Sequence, residues 1–134
     1  MAAALCFSVV VALSVLSVSS EILVGAPERD NPSDPDVIKA AAFAVNGFNQ
    51  KSSEDYIYKL VKIVSAETQV VAGVRYILNV EIGKTQCKKS ESDTHSCAFI
   101  QDPKLAQTLL CTFSVLEVPW EDLESLETSS CKTQ

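Results

Sequence analysis

The chain has 134 residues, a formal net charge of −6, four glycines and five cysteines. Its acidic balance argues against nucleic acid and against anionic membrane surfaces as partners. Its length suits one compact core rather than two domains, and no internal repeat or low-complexity tract interrupts it.

Ala2–Val18 is an apolar run without a charge, followed by Ser19-Ser20 and then Glu21. This reads as a secretory signal peptide over 1–20, with the mature domain at 21–134 and small residues at Val18 and Ser20 suited to cleavage before Glu21. A membrane span, the rival reading, needs about twenty apolar residues with polar flanks on both sides. Removal of the leader also removes Cys6. Cys87, Cys97, Cys111 and Cys131 are then left in a secreted, extracellular chain, where an even count reads as two disulfides with three connectivities open. A zinc site using His95 and Cys97 is the competitor, but the tight C-x-x-C spacing is missing.

Glu21–Asp30 starts with Ile22-Leu23-Val24-Gly25 and reads either as a short first strand or as an extended binding arm. Asp30–Pro35 is a turn-rich linker. A helix follows, capped by Asp34, with Pro35 at its first position and Asp36 in its first turn. Ile38, Ala41, Val45 and Phe48 recur at helical spacing, widened by Val37 and Ala44, and the whole stripe is expected to face the core. Gly47 weakens the last turn by about 1 kcal/mol relative to alanine.

Tyr56–Thr68 and Val74–Thr85 are strand-like. In the second, Val74, Tyr76, Leu78, Val80 and Ile82 alternate with polar neighbours. The alternation of the first falters at Ile63-Val64, which marks a bulge. The two runs are joined by Gln69-Val70-Val71-Ala72-Gly73, a hairpin tip in which Gly73 is free to take a positive φ. Hairpin tips are usually polar, whereas this one is small and apolar. Gln86–Asp102 is a polar surface excursion carrying Cys87 and Cys97. Leu105–Val118 is a third strong strand with Leu109, Cys111, Phe113 and Val115 on one face. Pro119 stops its pairing, Trp120 follows, and Glu121–Ser130 is a last, weaker strand. The predicted class is α+β, one helix packed on a meandering antiparallel sheet.

Catalysis finds little support in these residues. The lone histidine sits two positions from Cys97, too near in sequence to form a nucleophile–base pair across a cleft, and the mature cysteines are better used as bridges. Nothing resembles a phosphate loop or a metal cage, so no cofactor and no metal are expected. The two apolar tips are more informative. In an antiparallel meander alternate connections emerge at the same end, so Val70-Val71 and Pro119-Trp120 should form one narrow apolar edge suited to insertion into a groove.

Taken together, Gly25 near the mature start, the Q-x-V-x-G loop at Gln69–Gly73, the Pro119-Trp120 pair and four C-terminal cysteines resemble a type-2 cystatin, a secreted inhibitor of papain-like cysteine proteases. The likeness runs over essentially all of Glu21–Gln134. It implies a five-stranded antiparallel sheet around the helix and the bridges Cys87–Cys97 and Cys111–Cys131. It also implies a wedge. Leu23, Val24 and Gly25 would lie along the non-primed subsites of a cathepsin-type protease, Gln69, Val70, Val71, Ala72 and Gly73 in the cleft centre, and Pro119 and Trp120 on the primed side. Binding would be reversible and non-covalent, by a monomer for which a domain-swapped dimer is conceivable. Some members also inhibit legumain through an asparagine after the helix; Ser53 stands at the corresponding position here, so that activity is not expected. Glu121-Asp122-Leu123-Glu124 is more acidic than the family pattern suggests beside the tryptophan. A rival class is a cystatin-fold binding, signalling or defence protein that no longer inhibits.

Overall fold

Asp34 opens the helix as its spacing predicts: its carboxylate accepts the Asp36 N–H at 2.9 Å, and Pro35 occupies the first helical position. In this computed structural model, which describes residues 25–91 and 96–134, α1 spans Pro35–Lys51. Val37, Ala40, Ala41, Ala44 and Val45 are buried, so the stripe is built largely from alanines that let the helix lie close on the sheet. Ile38 departs from expectation. It is 47 % exposed, because the stripe through Val37, Ala41 and Ala44 takes the centre line and leaves Ile38 on the flank. The last turn forms despite Gly47, and the gain is proximity: a Cβ at Gly47 would lie 2.9 Å from Leu126 Cδ2.

Five strands form one antiparallel sheet in chain order: β1 (Glu28–Asp30), β2 (Tyr56–Val71), β3 (Gly73–Lys88), β4 (Thr108–Val118) and β5 (Leu123–Thr133). β1 at Glu28–Asp30 pairs with Ala66–Thr68 and lies beyond the Ile22–Gly25 stretch read as a short strand, of which residues 22–24 fall outside the described residues. β3 alternates as its sequence requires, with Tyr76, Leu78, Val80 and Ile82 buried against the helix. Cys111, Phe113 and Val115 of β4 complete that layer. β4 begins at Thr108 rather than Leu105, which is exposed, and β5 starts at Leu123 because Pro119–Glu121 is taken up by a 3-10 turn.

The register of β2 on β3 shifts between Ile63 and Ser65, the bulge read from the broken alternation, and again at Leu60/Lys62 and Tyr56/Tyr58. At the last of these, Asn49 of α1 closes the gap. Its side chain donates to the Tyr58 carbonyl at 2.8 Å and accepts the Tyr58 N–H at 2.9 Å, tying helix to strand. The Tyr58 hydroxyl is buried beside Glu54 and Gln107, and burial first, then Glu54, pushes its pKa above the usual tyrosine range.

Two disulfides pin the end of the sheet away from the tips. Cys111 and Cys131 stand directly opposite each other on β4 and β5. With 20 residues between them, their bridge contributes on the order of 3 kcal/mol by restricting the unfolded chain. Cys87 joins Cys97, 5.6 Å apart between Cα atoms, and closes the neck of the polar excursion.

Candidate functional site

The two apolar connections leave the same end of the sheet. β2 and β3 stay paired to their last residues, Val70 opposite Val74 and Val71 opposite Gly73, so the five-residue tip narrows to a turn around Ala72. Gly73 takes φ +122°, a conformation only glycine adopts easily. A side chain there would also meet the Glu117 carbonyl oxygen at 2.4 Å. Gly73 therefore lets the first hairpin lie flush against the end of β4.

The next step of β4 is Val118, buried, and then the turn that carries Trp120. Pro119 cannot donate to a ladder, and Asp122 takes the left-handed conformation at φ 50°, ψ 39°, with its N–H on the Pro119 carbonyl at 3.2 Å. No residue of this turn is buried. The chain's one tryptophan is 70 % exposed, and Val70 is 67 % exposed. Two large apolar side chains thus stand in water at one end of the molecule, against a burial preference worth roughly 1.5–3 kcal/mol for a side chain such as valine. Val71 and Gln69 are half-buried, and Ala72 is exposed.

The third segment arrives at the same edge. The Gly25 N–H donates to the Val70 carbonyl at 2.9 Å, so the chain leading into β1 runs along the outer side of the first hairpin. Leu23 and Val24, as well as residues 1–20 and His95, lie outside the described residues.

Sequence reading missed the groups that hold these tips in register. Arg75, two residues after Gly73, reaches across β4 to Glu127 on β5, with Nε at 2.7 Å from Oε1 and Nη2 at 3.4 Å from Oε2. Its Nη1 donates to Gln69 at 3.2 Å. Glu127 is the bulged residue of β5, unpaired between Leu126 and Thr128, and the bulge turns its carboxylate towards the guanidinium. That hydrogen bond holds the Glu127 carboxyl below its usual range. The signal, an arginine close behind the hairpin glycine and a glutamate 52 residues on, is invisible without the register.

Acidic groups gather at this end as well. Glu117 and Glu124 face each other across β4 and β5. The Tyr76 hydroxyl is pushed up to about 12, by burial first and then by Glu117, Asp36, Asp34 and Asp30. Among the described residues, no cluster of three or more histidine, cysteine or acidic side chains could hold a metal ion.

Residues 25–120 match the family model of the Cystatin domain. The chain belongs to the cystatin family. It is 43 % identical over 109 residues to Cystatin-2 of Crotalus adamanteus, covering 81 % of this chain and 80 % of the relative. It is 39 % identical over 110 residues to Cystatin-C of Rattus norvegicus, covering 82 % and 79 %. Among solved structures, that of dimeric human cystatin F is similar, with a TM-score of 0.79, 33 % identity, and coverage of 87 % of this chain and 94 % of that one. The type-2 cystatin resemblance and the fold class, one helix on a five-stranded antiparallel sheet, both hold.

Proposed function

We propose that this cystatin is a secreted, reversible, non-covalent inhibitor of papain-like cysteine proteases of the cathepsin type, and not itself an enzyme. One observation carries the reading: Val70 and Trp120 stand exposed at the same end of the sheet, with Gly25 hydrogen-bonded alongside. Such an edge enters a trench. Gln69–Gly73 fills its centre, Pro119 and Trp120 rest on the primed side, and Leu23, Val24 and Gly25 extend along the non-primed side. Affinity comes from water released by the apolar side chains and from turns already set in their bound shape. Because paired backbone and a turn meet the thiolate, with no peptide bond laid across it, nothing is cut and no covalent bond forms.

Secretion is supported by the apolar run at Ala2–Val18, taken as a signal peptide over 1–20, and by the two disulfides, which persist in oxidising compartments. The functional unit is a monomer over 21–134, and opening of the β2–β3 hairpin would permit a swapped dimer.

Titration of papain and lysosomal cathepsins with the purified protein tests the proposal. Stoichiometric, reversible loss of activity with recovery of an uncleaved chain is expected. Full protease activity at a large excess of the protein would leave a non-inhibitory binding or signalling role.

A further inference from the structure

The turn that carries Trp120 is lined by carboxylates. Glu121 and Asp122 follow Trp120 and are exposed, while Glu117 and Glu124 sit at the base of the same turn. Among the described residues, none of these four has a cation within ion-pair distance. Arg75 is on the neighbouring strand, but Glu127 already neutralises it. The negative field extends behind the edge to Asp30, Asp34 and Asp36, all felt at Tyr76.

Several lysines lie at the other end of the sheet. Lys51 closes the far end of α1, Lys59 and Lys84 occupy the strand ends that meet there, and Lys88 and Lys89 follow. The Trp120 turn is thus acidic, whereas lysines and the carboxylates Glu54, Asp55 and Glu91 are mixed at the opposite end, where Lys84 pairs with Glu54 at 3.8 Å.

One feature of this acidic turn works against stability. Glu117 and Glu124 are directly opposed on adjacent strands, an arrangement that destabilises a sheet. Any uncharged or basic residue at position 124 would relieve it. A binding partner of opposite charge would offset the cost of this pair.

We infer that this acidic rim selects, among papain-like proteases, those whose cleft margin beside the Trp120 contact is basic, and that it speeds their capture. The inference rests on the inhibitory reading above. Charges at the margin of an interface act chiefly on the association rate and on discrimination between partners, through a field that salt screens.

The test uses two papain-like proteases chosen for a basic and an acidic primed-side rim. Association rates are measured by stopped flow between roughly 50 and 500 mM salt. With the basic-rim enzyme, association should slow by about tenfold or more as salt rises; with the acidic-rim enzyme it should quicken. The variant E121Q/D122N/E124Q should lose most of both slopes. Glu124→Lys should raise Tm, by removing the opposed pair, yet slow capture of the basic-rim enzyme by about threefold or more. A flat salt profile with both enzymes, or a more stable Glu124→Lys protein that associates at the wild-type rate, overturns this inference alone. Failure to bind either enzyme at any salt concentration overturns the inhibitory reading and this inference with it.

Discussion

Gly73 and Glu117 come so close that a methyl group on Gly73 would sit 2.4 Å from the Glu117 carbonyl oxygen. This contact seats the β2–β3 hairpin against the end of β4, one residue before Val118 and two before the turn that displays Trp120. The two apolar tips are thus parts of one rigid edge.

Gly73→Ala should therefore be costly twice over. The positive φ and the clash together are expected to cost about 2 kcal/mol or more of folding stability. Chemical denaturation reads this as a lower midpoint, and inhibition should fall with it because the hairpin must tilt away from β4. An unchanged midpoint would mean that the two loops are not braced against each other.

Trp120→Ala separates binding from folding. The side chain is largely exposed, so Tm should stay within a degree or two. Loss of an exposed aromatic anchor should weaken inhibition by about 2 kcal/mol or more, roughly thirtyfold. Inhibition constants against several papain-like enzymes, taken with a melting curve, decide this.

The segment before β1 makes a different prediction. Trimming the mature chain through Val24 should leave the melting curve intact, since β1 starts at Glu28 and the Gly25 contact is retained. Affinity should fall most for proteases whose S2 pocket demands an aliphatic side chain. A fall in Tm without loss of inhibition would make Ile22–Val24 a structural element.

The Arg75–Glu127 pair links stability to pH. The folded-state pKa of Glu127 is depressed, so its contribution is present above the unfolded glutamate pKa and is lost as pH falls through the folded value. Glu127→Gln should remove that dependence on the acid side of the ordinary glutamate range and cost under about 1 kcal/mol at neutral pH, because the pair is partly solvated. Urea midpoints of both proteins from pH 7 to pH 3 would show the two curves converging.

Much of this was legible in the sequence because the decisive residues obey strong local rules. Asp34-Pro35 announces the helix start, the alternation from Val74 to Ile82 announces a half-buried strand, and Gly73 and Pro119 announce turns. Ile38 was misassigned because helical periodicity defines a face more broadly than packing uses it, and the alanines took the centre. The Arg75–Glu127 link, the Glu117–Glu124 opposition and the Asn49 clamp on Tyr58 were hidden for another reason. Each joins residues brought together only by strand register or by the helix lying across the sheet, and each of these side chains alone reads as an ordinary solvated polar group.

The proposed contact with the protease is made by a single edge: the Leu23–Gly25 segment, the β2–β3 tip and the Trp120 turn. Amide hydrogen exchange of the papain complex tests it most directly. Protection gained on binding should fall together on Gly25, on Val70–Gly73 and on Trp120 with its following residues, leaving Lys84–Lys89 and the end of α1 unchanged. Protection at that far end, with the two tips exchanging as in the free protein, would contradict it.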